Sequence, residues 1–419
     1  MATGTHGFRH HQLGELETAR SRHMWTRSAV CTAGDRLLTG QWDGTVTAFD
    51  ATSLTPQWST DHPDHAVGIE TLGAGSTTTV IVAGRGETGT IAAYDAESGD
   101  RRWRYDGVKD VGEAVRDTVF SLPYVVAIET GETTDGEDRL FAAIRRYERD
   151  GKQRRWHSTV VAIAADGSVR WRYETDASPI ALDLDADGDQ LAVGYNRCLG
   201  DHDNGLVVLD AATGELEWTW DPGTEGDRRV GDVSVDGDRL AVTSHGDKRG
   251  YLLGPRGAEE WRVDLAVETD VGEETLYAYP NHVHAADGRV AFVTGNTYAV
   301  DQRETEHRHP NEHRVATFDA GGELLWDETV RGFVHGLDAT DERIVVPCAQ
   351  NFRVRDPATH AVRWFDLETG AGGVEGFDGI ATAAAIDDGT IAAIEEPVTY
   401  HDDGERRGTY ALWAGSIDQ

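Results

Sequence analysis

The residues best equipped for chemistry fall into two groups. The first is the basic run Ile144-Arg145-Arg146-Tyr147-Glu148-Arg149-Asp150-Gly151-Lys152-Gln153-Arg154-Arg155-Trp156-His157, with six Lys or Arg side chains against two acids. Guanidinium groups grip carboxylates and phosphates in a fixed fork, and Tyr147 and Trp156 add flat faces for stacking. Arg145, Arg146, Tyr147, Arg149, Lys152, Arg154, Arg155 and Trp156 are therefore candidate partner-binding residues. An acidic protein patch, a phosphorylated ligand or a nucleic acid would fit them. Asp150-Gly151 is a hairpin-turn signal between alternating residues, so a β-hairpin is expected over about 139–160.

The second group is made of histidines and carboxylates. Imidazole and carboxylate are ordinary donors for divalent metals, which makes His282, His335, Asp232 and Asp378 candidate metal ligands. His307, His309 and His313 share one segment, but Pro310 interrupts it and the spacing matches no known finger. Asp183-Leu184-Asp185-Ala186-Asp187-Gly188 starts like a calcium loop; its twelfth position is Gly194, where that loop needs a bidentate glutamate. It reads as a turn. The sequence contains no catalytic triad, P-loop or dinucleotide fingerprint, and Gly84-Arg85-Gly86 has no helix behind it.

The charge sets the medium in which such sites would work. The 419 residues include 74 acids and 39 bases, a net charge of −35, and only Lys109, Lys152 and Lys248 are lysine. Self-repulsion of this size opposes a compact state unless salt screens it, so adaptation to molar salt is expected. The Debye length there is about 3 Å. Contacts must then be short-range, and phosphate-backbone binding, which weakens steeply with salt, is disfavoured. Cys31, Cys198 and Cys348 are odd in number and far apart, against a disulfide framework. No apolar run approaches the roughly 20 residues of a membrane span. Met1 to Trp25 is polar and rich in His and Arg, unlike a signal peptide; a cytoplasmic protein is expected.

The elements that must position these residues repeat. Leu206 to Leu209 is an apolar strand, Asp210 to Gly214 a tight turn, and Leu216, Trp218 and Trp220 share one face of a second strand. Copies recur. The first unit, from Ser28, has strands at Ala29 to Thr32, Leu37 to Gly40, Thr45 to Phe49 and Gln57 to Ser59 with Trp58, which we letter a to d. Later units end on Trp103, Trp171, Trp218, Trp261, Trp326 and Trp364. In the third, Tyr124 to Ile128 reads as strand b; in the seventh, Phe352 to Arg355 reads as strand c. The eighth stops after three strands. The pattern predicts an all-β fold, an eight-bladed β-propeller of four-stranded antiparallel blades, with seven blades as the alternative. Residues 1–27 would supply the missing outer strand, from within Gly7 to Glu17, and 28–419 the propeller.

The turn-and-tryptophan copies carry a resemblance. Asp95-Ala96-Glu97-Ser98-Gly99 with Trp103, and Asp210-Ala211-Ala212-Thr213-Gly214 with Trp218, follow the pattern Asp-Ala-x-x-Gly-x-x-x-Trp. Partial copies are Asp50-Ala51 with Trp58, Asp319-Ala320-Gly321-Gly322 with Trp326, and Asp356-Pro357 with Trp364. These copies resemble the repeats of the pyrroloquinoline-quinone-like propellers, which include quinoprotein alcohol dehydrogenases and an outer-membrane assembly lipoprotein. Resemblance to the enzymes would imply an axial calcium held by Glu, Asn and Asp beside an adjacent cysteine pair. No two cysteines are adjacent here, so quinone binding is not expected.

In such a blade the b–c and d–a loops share one face and the a–b and c–d turns the other. The second set is short and stereotyped; the first is long and irregular, and long loops on rigid scaffolds tend to carry binding. His157, His202, His245, His307, His309, His313 and His401 are placed in or beside b–c loops, with His360 alone on the other face. Glu70, Glu113, Arg116, Asp183, Asp232, His282, His335 and Asp378 are placed at the axis. Three functions follow. The first is a non-catalytic scaffold that binds a protein partner on the b–c/d–a face without a cofactor. The second is a metal- or quinone-dependent oxidoreductase with an axial site. The third is a nucleic-acid-associated module using 144–157.

Overall fold

The computed structural model describes residues 7–20, 27–73, 78–116, 118–224, 226–301, 305–351, 354–387, 389–400 and 404–417. Trp25, His401 and Phe352 lie outside them. The described chain is mostly strand, and all but a few short strands form eight four-stranded antiparallel blades, two of them joined through a single Tyr124–Arg85 pairing. Blade 1 is Ala29–Ala33, Arg36–Gly40, Thr45–Asp50 and Pro56–Asp61. Blade 2 spans 65–106, blade 3 spans 124–175, blade 4 spans 178–220, blade 5 spans 230–264, blade 6 spans 274–329 and blade 7 spans 338–376. In blade 8, Ile380–Asp387, Thr390–Glu396 and Tyr410–Ser416 are completed by Arg9–Gly14, which pairs antiparallel with Tyr410–Ser416. The innermost strands of successive blades touch around the axis, blade 6 reaching blade 7 through His284 and the Thr340 carbonyl, and that of blade 8 touches that of blade 1. The fold is a β-propeller.

The repeated turn forms for a local reason. Asp210 Oδ1 accepts the Thr213 amide at 2.7 Å and its hydroxyl at 2.8 Å, while Gly214 takes φ +74°, a conformation open to glycine. Asp50, Asp95 and Asp366 repeat the amide bond to the residue three further on, at 2.7, 2.9 and 2.7 Å. The same glycine has a second duty. A Cβ on Gly214 would stand 2.5 Å from the Trp171 ring of the preceding blade, and one on Gly370 2.7 Å from Trp326. Five of the repeat tryptophans, Trp58, Trp103, Trp171, Trp261 and Trp326, donate the indole N–H to a carbonyl of the next blade's turn, for example Trp58 to Ala96 at 2.9 Å, Trp171 to Ala211 at 3.0 Å and Trp326 to Leu367 at 3.0 Å. Large apolar area and a satisfied polar tip are joined in one side chain.

Two strand assignments made from sequence need correction. Tyr124–Glu132 is strand a of blade 3, and b is Asp138–Asp150. The basic run is thus no insertion between b and c; it is the tip of those two strands, overgrown beyond the blade. In blade 7 the third strand is Ala361–Asp366 and the fourth Gly372–Gly376. Trp364 therefore sits in strand c. The misreading came from taking Asp356-Pro357 as the turn; that pair opens a single 3-10 turn, with Asp356 capping the Ala358 amide at 2.9 Å. The true turn copy is Asp366 to Gly370. His360 consequently lies on the b–c face with the other histidines, not on the opposite one.

Candidate functional site

The axial carboxylates act first as architecture. An innermost strand has one edge without a strand partner, and its amides need acceptors. Asp183 accepts the Val235 amide of the next blade at 2.5 Å, Asp232 that of Val283 at 3.1 Å, and Asp338 that of Ile386 at 2.8 Å. Enclosure by protein pushes Asp183 up to about 7 and Asp338 to about 6. Glu70, on the wall of an axial cavity of about 370 Å³, is pushed to about 8 by that enclosure and then by Asp338. Asp185, of the segment resembling a calcium loop, closes its own turn by accepting the Asp189 and Gln190 amides at 2.7 and 2.8 Å.

Of the candidate metal ligands, His282, Asp232 and His335 lie near one another and Asp378 is held apart in blade 8. His282 Nδ1 is 3.5 Å from Asp232, while its Nε2 bonds the Val334 carbonyl at 3.1 Å. His335 is buried beside them. Asp378 accepts the Gly408 amide at 2.8 Å, in blade 8. Among the described residues no group of three or more His, Cys, Asp or Glu could hold a metal ion. The loop histidines likewise hold separate carbonyls: His309 that of Val267 at 3.0 Å, His313 that of Arg331 at 2.9 Å, and His360 that of Asp378 at 3.0 Å. Burial holds His309 and His360 below the usual imidazole range, and His245 at about 3. Most histidines on this face fasten loops through such bonds.

The basic hairpin is different. Asp138–Asp150 pairs with Gln153–Ala164, setting Tyr147 opposite Trp156 and Arg149 opposite Arg154. Strand alternation then places Arg145, Tyr147, Arg154 and Trp156 on one side. Arg146 points to the other side, is buried, and donates to the Val111 carbonyl at 2.7 Å and to Glu148 at 3.2 Å. It belongs to the frame. Arg149, Lys152 and Arg155 are exposed at the tip.

On the first side a cleft of about 390 Å³ opens, lined by Arg85, Tyr124, Arg145, Tyr147, Arg154 and Trp156, with Phe120, Leu122, Arg197 and Leu199 completing the wall. No Asp or Glu lines it. Arg85 lies 4.6 Å over the Tyr124 ring and gives its hydrogen bonds to the Val119 carbonyl. Arg145 lies 5.5 Å over Tyr124 and 5.2 Å over Trp156, and donates to Ser178 Oγ at 2.5 Å and the Pro179 carbonyl at 2.9 Å. Burial brings Arg145 down to about 10; the Tyr124 phenol opposes the fall, Arg85 and Arg27 add to it, and no carboxylate takes part. Burial raises the Tyr124 phenol, but Arg27, Arg85 and Arg145 outweigh it and hold it below the usual range. The Trp156 indole N–H is buried without an acceptor.

Arg85, Tyr124, Phe120 and Leu199 were not singled out in the sequence. Exposure supplies a second signal for this face. The exposed large apolar side chains are Leu216, Leu324, Leu325 and Val374 on outermost strands, and Val115, Phe120, Leu199, Tyr298, Val300 and Val354, all in or beside b–c and d–a connections. Leu216 and Leu324, each the first residue of its strand, adjoin c–d turns.

A β-propeller with tryptophan-docked blades is the class of protein these features define. The family described as outer membrane protein assembly factor BamB matches residues 42–219 and again 157–364. The chain belongs to this family. No curated protein matches it in sequence. Among solved structures it resembles BamB from Moraxella catarrhalis, at 17% identity and TM-score 0.55, over 93% of this chain and 94% of that one. Sqt1 from Saccharomyces cerevisiae is similar at 11% identity and TM-score 0.59, over 96% and 99%. The quinohemoprotein alcohol dehydrogenase ADHIIG from Pseudomonas putida HK5 shares 12% identity at TM-score 0.59, over 98% of this chain and 76% of that one. At these identities the likeness is one of fold. No helix among the described residues is long and apolar enough to cross a membrane.

Proposed function

We propose that the chain is a non-catalytic, cytoplasmic scaffold that binds a protein partner through its b–c/d–a face. The observation behind this reading is the placement of exposed apolar side chains. Six of the ten lie in or beside that face's connections, and two of them, Phe120 and Leu199, line the arginine cleft. An apolar patch beside unpaired arginines is the composition of a protein-binding surface rather than of an idle one. The family's description as an assembly factor agrees with this reading. Face-selective photocross-linking in high-salt extract tests it. Cross-linkers at positions 120, 199 and 298 should capture one common partner, and cross-linkers at 35 and 238 on the opposite face should not. Equal capture from both faces, or none from the first, refutes it.

A further inference from the structure

We infer that the cleft between the hairpin tip and strand a of blade 3 recognises a short acidic peptide segment, seating a carboxylate on its arginines and an adjoining apolar side chain against its aromatic walls. The inference rests on the proposed protein-binding role and gives it a ligand chemistry. The polar side chains lining the cleft are Arg85, Arg145, Arg154, Arg197 and Trp156, which only donate, and the phenols of Tyr124 and Tyr147, which also accept. Arg197 is engaged by Asp227. Arg85 and Arg145 spend their hydrogen bonds on neutral oxygens and are neutralised by no carboxylate among the described residues. In a chain of net charge −35, an acid-free hollow holding several arginines runs against composition. A buried guanidinium without a counter-charge is costly, so its retention points to a charge supplied from outside. The unaccepted Trp156 N–H asks for the same kind of atom.

Shape argues for a peptide over a compact anion. A second hollow, of about 650 Å³, runs along the hairpin from Lys152 to His157 and shares Arg154, Trp156 and Leu199 with the first. Together they line a groove whose near end is acid-free, whose far end holds Asp176 and Asp227, engaged by the Asp201 and His202 amides and by Arg197, and whose rim holds Phe120, half-exposed, and Leu199. An extended chain fills such a groove; a single phosphate does not. The arginines sit over aromatic rings rather than in a helix N-terminus or a glycine-rich nest, and stacked guanidinium forks suit carboxylates bound bidentately.

The test is peptide display in molar KCl, with a random twelve-residue library selected against the full chain. Enriched peptides should pair Asp or Glu with a neighbouring aromatic or aliphatic residue. Synthetic copies should bind Arg154→Gln and Trp156→Ala about tenfold more weakly, and should lose as much when the acid is changed to its amide. Circular dichroism and melting of the two variants, whose substituted side chains lie at the hairpin surface, separate loss of binding from loss of fold. Enrichment without acids, equal binding to both variants, or no enrichment overturns the cleft inference. If cross-links from positions 120, 199 and 298 still reach one partner, the interaction face stands without this ligand; if they too are absent, both readings fall.

Discussion

On the short-turn face, Arg36 meets Glu97 at 2.9 Å, Arg239 meets Glu260 at 3.1 Å and Arg289 meets Glu368 at 2.9 Å. Across the disc, Arg85 and Arg145 meet only carbonyls, a hydroxyl and aromatic rings. The residue type is the same and the surroundings differ. The first face repeats one turn, satisfied within itself and sealed by the previous blade's tryptophan. The second is built from connections that never repeat and leaves donors without acceptors. Arginine marks function only where the structure withholds its counter-ion, and in so acidic a chain that withholding is the unusual event.

That contrast can be broken most forcefully at the seal. Trp171 is 9% exposed and bonded to Ala211, so Trp171→Ala should cost about 3–5 kcal/mol in denaturant unfolding while leaving partner binding intact at temperatures where the protein is folded. Gly214→Ala forces a Cβ into positive φ and against the same ring; about 1–3 kcal/mol of destabilisation is expected. If either change abolished binding in a folded protein, the division of labour between the faces would be wrong.

The pH dependence sharpens the comparison, because both signs of shift are present. Burial keeps His245, His309 and His360 below the usual imidazole value when folded. As pH falls below about 6.5 the unfolded chain takes up protons first, so stability present above that value is lost on acidification. Glu70, held up at about 8 when folded, acts oppositely: stability present below its unfolded value is lost as pH rises toward 8. The melting temperature should pass through a maximum. His360→Gln should flatten the acid limb and Glu70→Gln the alkaline one. A flat profile in the wild type would contradict the burial argument. The smallest effect on stability belongs to the site: Arg154→Gln should stay within about 0.5 kcal/mol of wild type in unfolding.

Legibility in the sequence followed the same division. The fold was readable because Asp-x-x-x-Gly turns and docking tryptophans recur with fixed spacing; blade 7 was misassigned where Pro357 disguised a false turn and Asp366 to Gly370 went unused. The hairpin was readable as a charge anomaly, and the half of it that matters was not. Arg145 and Arg146 are neighbours in sequence, yet one faces the cleft and the other is tied to Val111. Arg85 and Tyr124 come from different blades and meet only through their single pairing. The histidines suggested ligands by their placement; the structure turns them into carbonyl fasteners, because long loops carry many carbonyls that no strand satisfies.

The central claim is that the cleft's arginines await a carboxylate. A double-mutant cycle measures it: binding of a display-selected peptide and its acid-to-amide analogue to wild type and to Arg154→Gln, by calorimetry. A coupling of about 1.5–3 kcal/mol between the arginine and the acid is predicted. Additive losses, with coupling near zero, would show that the two never meet and would contradict the account.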